Sequence, residues 1–386
     1  MTENKAVFTK YRDRFVLIHT VQNRTEHIYA YDSLDGLDMG TIINCRVDSQ
    51  APNIGACFAA YSCDRLAFVQ KEIKNGTVLP LMFKKEAHDG KKAVFTDKLS
   101  IGGEYVVVSD GGTFIKASTR IPEPERGEMT AHFRRICEDQ RIGIIIRTKT
   151  FTEEDGLRKA EEELSLICNK LKEIKQSSEH LVQYSILYRP LPSHISDLLY
   201  LIAQGIDEVV CDDSQIMDKL SDAYESLSGR VSLSDRVSLR FYEDELLPLC
   251  KLYSFDAKIS EALSRKVYLK SGAYITFDTT EALTAIDVNS AQNEKKGDKE
   301  DTFLSVNLEA AREIARQIRI RNISGMIIVD FINMQSDDNY DKLSECLKNE
   351  LRSDRVRCRF VDFTALHLAE LIRDREGRTL YRILGD

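Results

Sequence analysis

The chain lacks any run of about 18 apolar residues, so no membrane helix is expected by the usual length criterion. Its first residues, Met1-Thr2-Glu3-Asn4-Lys5, hold no apolar signal segment, and no targeting leader is expected either. No two of its nine cysteines stand in a Cys-x-x-Cys pair. That odd, scattered set argues against a disulfide framework or a structural zinc site and fits reduced thiols in a cytosol. The seven histidines, His19, His27, His88, His132, His180, His194 and His367, offer no close metal-ligand spacing. Internal repeats and low-complexity tracts are absent as well. These absences leave a cytoplasmic globular protein as the expected class.

What is present agrees with that class. Of 386 residues, 42% are hydrophobic and 30% charged, enough for roughly two to four compact domains. The net charge of −8 disfavours indiscriminate nucleic-acid binding, because contacts to a phosphate backbone need local Lys and Arg. Local clusters do exist. Arg316, Arg319 and Arg321 close an expected helix, and Arg355, Arg357 and Arg359 alternate along an expected strand. Each cluster reads either as a phosphate contact or as a solvated cationic face. A long charged helix is expected over 153–175, with an apolar stripe at Leu157, Ala160, Leu164, Ile167, Leu171 and Ile174. Such a stripe packs on its own domain more often than it dimerises.

The most informative pattern lies near the C-terminal end. Leu283-Thr284-Ala285-Ile286-Asp287-Val288-Asn289 and Met326-Ile327-Ile328-Val329-Asp330 both read as strands. Between them, Leu304, Leu308, Ala311, Ala315 and Ile318 recur at helical spacing. Strand, helix and strand make a crossover unit with parallel strands. Asp287 and Asp330 then reach the carboxyl edge of one sheet, where open α/β sheets bind ligands. Asn289 comes two residues after Asp287 and so shares its face. Magnesium suits such an edge, since it accepts one or two carboxylates and leaves room for water and phosphate oxygens. The structural alternative is that both aspartates merely cap the segments after them. In the acidic loop Gly297-Asp298-Lys299-Glu300-Asp301, Asp301 is expected to cap a helix starting near Thr302.

At these residues the chain resembles the ribonuclease E/G family. The likeness is carried by Thr280 to Ser290, by Asn307-Leu308-Glu309-Ala310-Ala311 continuing to Arg319 and Arg321, and by Gly325 to Phe331. The resemblance implies that Asp287 and Asp330 hold Mg2+ and that Asn289 assists them. It implies an S1-like barrel of OB type in which Phe58 and Phe68 stack RNA bases, with Lys91 beside the same channel. Ordinary barrel core is the competing assignment for each Phe. Arg147 and Thr148, with Gly103 and Val107, match a sensor for an RNA 5′-monophosphate, although Thr119 stands where the family often has a further arginine.

The implied architecture is multidomain α/β and β. An RNase H-like domain would comprise 1–30 and 180–250, an S1-like barrel 31–118, and a 5′-sensor region with its helix 119–179. A DNase I-like catalytic domain would occupy 251–386. The implied activity is magnesium-dependent endonucleolytic hydrolysis of single-stranded RNA, in which Arg316, Arg319, Arg355 and Arg357 would also touch RNA. The alternative is a non-catalytic RNA-binding protein on the same platform. No Cys-Pro-x-Cys zinc link occurs in this sequence, so a homo-oligomer is possible but has no zinc link to support it, and no zinc is expected.

Overall fold

A computed structural model describes residues 4–87, 90–137, 141–227, 232–244, 246–290 and 299–385. They form two compact units. One comprises the chain up to Leu34 together with Ser193 onward; the other runs from Asp35 to Pro192. His88, Gly297 and Asp298 lie outside the described residues.

The Asp35–Pro192 unit holds a closed barrel. Its strands Ile42–Ala51, Ala56–Ala60, Leu66–Val69, Ala93–Thr96 and Val78–Lys85 pair in that order, and the last pairs back to the first. Small or branched side chains fill it, among them Cys45, Val47, Ala59, Ala67 and Leu81, together with the ring of Phe95. Five strands with one closing pair make an OB-type barrel. The strand Ile186–Tyr188 adds to its outside at Ile42–Ile43. Residues 100–117, read from sequence as part of the barrel, belong instead to a separate four-stranded sheet. There Ser100–Gly102, Val106–Ser109, Gly143–Ile146 and Phe114–Ala117 lie side by side. One face is covered by the helices Glu125–Ile136 and Gly156–His180. The stripe Ala160, Leu164, Ile167, Leu171 and Ile174 of the long helix is buried in this unit's own core, as periodicity favoured, while Leu157 is exposed.

The other unit contains two sheets. The first orders Ser238–Phe241, Glu208–Cys211, Asn4–Tyr11, Arg14–Val21 and Arg24–Tyr31, with helices on both faces. Asp213 caps the helix Ser214–Leu227 by accepting from the Gln215 and Ile216 amides. The second sheet orders Lys266–Tyr268, Tyr274–Thr279, Leu283–Asn289, Gly325–Asp330, Ala369–Arg373 and Cys358–Phe363. The helices Lys299–Arg321 and Asp337–Arg352 cover one of its faces, burying Ile286, Val288, Ile327 and Val329 against Ala311, Ile314, Ile318, Leu343 and Leu347. Alternation therefore turns Ala285, Asp287 and Asp330 to the open face. The crossover helix starts at Lys299, not Thr302, so Asp301 sits inside its first turn and is not its cap. No helix among the described residues is long and apolar enough to cross a membrane, and all nine cysteines are free thiols.

A histidine pair in the first sheet sets an acid limit on stability. His19 and His27 are cross-strand partners with their Nδ1 atoms 3.1 Å apart, and His19 Nε2 lies 2.7 Å from Asn4 Oδ1. Burial lowers His19 to about 4. Burial, then the charges of His19, Arg319 and Arg355, lowers His27 to about 3. The unfolded chain takes up these protons near pH 6.5 and the folded chain only near those lower values. Unfolding therefore binds protons throughout that window, and stability declines as pH falls below about 6.5. Urea unfolding at pH 7.5 and 5.0 should differ by on the order of 4 kcal/mol, about half from each histidine, and the difference should shrink in His27→Gln. Equal pH dependence in the two proteins contradicts this account.

Candidate active edge

Leu283–Asn289 and Gly325–Asp330 are parallel neighbours, and their register sets Asp287 directly opposite Asp330. Directly paired residues point to one face, with backbones about 4.8 Å apart. Both carboxylates are exposed. Asn289 Nδ2 donates to Asp287 Oδ2 at 2.6 Å, which orients that carboxylate without neutralising it. Among the described residues, no Lys or Arg forms an ion pair with either aspartate. Nor, among the described residues, do three His, Cys, Asp or Glu side chains converge on a metal-holding geometry. Two adjacent, uncompensated carboxylates on an open face repel each other, and a hard divalent cation relieves that repulsion while keeping sites for water and phosphate oxygens. The residues present therefore fit magnesium.

Residues from the crossover helix hold this edge in place. Asn307, fully buried, donates from Nδ2 to the Ile332 carbonyl (2.8 Å) and accepts from the Ile332 amide at Oδ1 (3.1 Å). The segment leaving Asp330 is thereby pinned to the helix. Glu300 accepts from the Gln335 and Ser336 amides and from Asn339 Nδ2, which ties the start of the next helix to the same place. The Ser336 amide leads the interactions that hold the Glu300 carboxyl below the usual range. Glu309 accepts from the Lys270 and Ser271 amides and fixes the turn between the two outermost strands. The sequence motif around Asn307 and Glu309 is thus a set of struts.

The basic clusters are not brought to this edge. A crossover helix runs antiparallel to its strands, so its C-terminal arginines lie at the amino edge of the sheet. Arg316 is buried, its guanidinium donating to both Glu313 carboxylate oxygens and to the Thr25 carbonyl. It is a core ion pair, which overturns the expected RNA contact. Arg321 is buried over the Phe277 ring, and Arg319 donates to Ser353 Oγ at 3.2 Å. Arg355 and Arg357 precede the strand Cys358–Phe363 and do not alternate along it. Cys358 pairs with Arg373, and Arg373 with Gly325. That is five residues from Asp330, roughly 17 Å at about 3.3 Å per residue. Arg355 is paired with Asp197 and lies over Tyr200. The charge pattern was legible, but its location depends on strand direction.

On the barrel, Phe58 and Phe68 are direct cross-strand partners with ring centroids 6.0 Å apart. Their neighbours Cys57, Ala59, Ala67 and Val69 face the barrel interior, and both rings are only half buried. They stand on the outside and are not core. Lys91 is exposed and precedes Ala93–Thr96, whose Val94 pairs with Phe68.

In the four-stranded sheet, Val107 pairs with Ile145 on one side and Gly102 on the other. Ile145 is 40% exposed, so this face of the sheet is open. A Cβ on Gly102 would stand 3.1 Å from Arg147 Nη2, so Gly102 is the glycine that admits this guanidinium. Gly103 instead faces Glu163, whose carboxylate accepts from the amides of Glu104, Tyr105 and Val106. Thr148 Oγ1 donates to Ser118 Oγ at 3.0 Å, a partner the sequence did not single out.

A mixed α/β chain with a closed five-stranded barrel and an open sheet edge bearing paired carboxylates defines the class. The model of the ribonuclease E/G family matches residues 100–376, and the chain belongs to that family. It is 30% identical over 321 residues to ribonuclease E of Buchnera aphidicola subsp. Schizaphis graminum, covering 83% of this chain and 32% of that protein. With ribonuclease E of Escherichia coli (strain K12) it is 30% identical over 327 residues, 83% of this chain and 30% of that one. With ribonuclease G of Escherichia coli (strain K12) it shares 28% over 379 residues, 90% of this chain and 74% of that one. The chain thus spans about a third of the ribonuclease E proteins it matches.

Proposed function

We propose that the chain is a magnesium-dependent endoribonuclease that hydrolyses single-stranded RNA. The observation that carries this reading is the register-paired, uncompensated Asp287 and Asp330 with Asn289 donating to Asp287. Those two carboxylates would hold Mg2+, whose chemistry is to polarise the phosphoryl oxygen and to lower the pKa of an attacking water. Asn289 would fix the Asp287 carboxylate and leave its other hydrogen available to a phosphate oxygen or a water. Asn307 and Glu300 would keep Asp330 in register with Asp287 during turnover. On this reading the units correspond to RNase H-like, S1-like and DNase I-like domains, and Arg147 and Thr148 would receive an RNA 5′-monophosphate. The relatives' names support an RNA substrate.

The test is cleavage of an end-labelled single-stranded RNA with and without added Mg2+. Cleavage should appear only with the metal and leave 5′-phosphate ends. RNA that is bound but never cut would favour the non-catalytic reading. Comparing 5′-monophosphate with 5′-hydroxyl substrates tests the sensor, and equal rates would remove Arg147 and Thr148 from it. The half-buried rings of the barrel make a separate claim. Phe58→Ala and Phe68→Ala should each weaken RNA binding by about 1–3 kcal/mol, whatever the sequence, measured by fluorescence anisotropy. Folding should survive, because neither ring fills the barrel interior. A collapse of the fold with affinity per folded molecule unchanged would return both to the core.

A further inference from the structure

The open face of the catalytic sheet continues past Asp287 towards its edge strand. Thr276 pairs with Asp287, and Lys266 with Thr276. One step along, Tyr274 pairs with Asn289, and Tyr268 with Tyr274. In this sheet Val267, Leu269, Ala273, Ile275 and Phe277 are buried under the helices, so Lys266, Tyr268, Tyr274 and Thr276 share the face of the two aspartates. Tyr268 is 71% exposed. Lys266 Nζ lies 3.4 Å from the centroid of the Tyr274 ring and 4.9 Å from that of Tyr268. Among the described residues no carboxylate pairs with Lys266; the nearby Asp278 is taken by Arg265 through two hydrogen bonds. A cation held over an aromatic face keeps its charge and its outward N–H donors. The turn joining these two strands is anchored by Glu309.

We propose that Lys266 and Tyr268 form a nucleotide subsite beside the scissile position, with Tyr274 as the residue that positions Lys266. It rests on the ribonuclease reading of Asp287 and Asp330. The exposed Tyr268 ring receives a base by stacking, which any base satisfies. Lys266 takes a backbone phosphate of the same strand. Two strand spacings, about 10 Å, separate the Lys266 backbone from that of Asp287, so the subsite serves the nucleotide next to the cleaved bond. An RNA strand is the occupant favoured here, because the patch joins a metal-fitting carboxylate pair in continuous register and couples an aromatic face to an uncompensated cation. A second copy of the chain pairing at this sheet edge is the competing occupant.

Two measurements on the full chain test the subsite. In the first, Tyr268→Ala and Lys266→Ala are assayed on a short single-stranded RNA with Mg2+. KM should rise about tenfold for Tyr268→Ala, with kcat within about twofold and Tyr268→Phe close to wild type. Lys266→Ala should also reduce the slope of log affinity against log salt by about 0.7, the loss of one single-strand phosphate contact. An unchanged KM in both variants overturns the proposal, and so does a change in sedimentation of Tyr268→Ala with unchanged cleavage, which would mark an interface between copies. The second measurement uses the absence of tryptophan from the chain. Tyr268→Trp in an Asp330→Asn background carries a single indole, and adding intact RNA should quench it. Quenching without any wild-type cleavage would keep the stacking role and discard the nuclease reading; cleavage without quenching would do the reverse.

Discussion

Replacing Asp330 by Asn should lower magnesium-dependent RNA cleavage by about 10³-fold or more, a loss of roughly 4 kcal/mol of transition-state stabilisation. Asp287→Asn should do the same. Each substitution is nearly isosteric and lies on the open face of the sheet, so neither disturbs the core of Ile286, Val288, Ile327 and Val329. RNA affinity should hardly change, because neither aspartate supplies a stacking ring or a cation to the strand. The double variant should be little worse than either single one, as expected where two groups act on one ion. Asn289→Ala should fall between wild type and the aspartate variants, since it orients Asp287 without carrying charge. Cleavage surviving at near wild-type rate in both single variants would remove this edge from the chemistry.

Arg316→Ala should cost about 3–5 kcal/mol of folding stability, read from urea or thermal unfolding, with no loss of RNA affinity per folded molecule. Glu313 is buried and accepts from Arg316, Gln317 and Arg24. Burial pushes its carboxyl up, but hydrogen bonds from Arg316 and Gln317 and the charges of Arg316 and Arg24 outweigh that and hold it low. Removing Arg316 leaves a buried carboxylate without its main partner. Replacing Glu313 and Arg316 together by apolar residues should be milder than Arg316→Ala alone, because no buried carboxylate is then left without its main partner, and Arg24 keeps Glu26 as an ion-pair partner. Should Arg316→Ala instead fold normally and weaken RNA binding with a shallower salt slope, it contacts phosphate after all.

Arg316 also shows where sequence reasoning stops. The strand–helix–strand unit was legible because its periodicities are local: alternation fixes which residues of Leu283–Asn289 are buried, and i, i+4 spacing marks the covered face of the crossover helix. Parallel register then comes from the connection, and Asp287 meets Asp330 as expected. The arginines were read by type alone. Whether a guanidinium faces solvent or a buried Glu three residues earlier depends on which helix face packs against Thr25, a contact between segments 291 residues apart. Arg355 and Arg357 failed similarly, because the direction of the last two strands sends them to the far end of the sheet.

Other parts were hidden for related reasons. Phe58 and Phe68 read as barrel core from residue type alone, and as a platform only through the resemblance, until the barrel closed and placed Cys57 and Ala67 inside. Gly102 and Ser118 carry no signal of their own, and only pairing brings them to Arg147 and Thr148. Lys266, Tyr268 and Tyr274 do alternate in the sequence, yet their value comes from lying in the rows of Asp287 and Asn289.

Binding of Mn2+, a spectroscopic stand-in for a hard oxygen-bound cation, tests the central claim most directly. Titrated by electron paramagnetic resonance without RNA, the wild-type chain should show a site that Mg2+ displaces and that both Asp287→Asn and Asp330→Asn lose. A displaceable site of undiminished affinity in both variants would contradict the account.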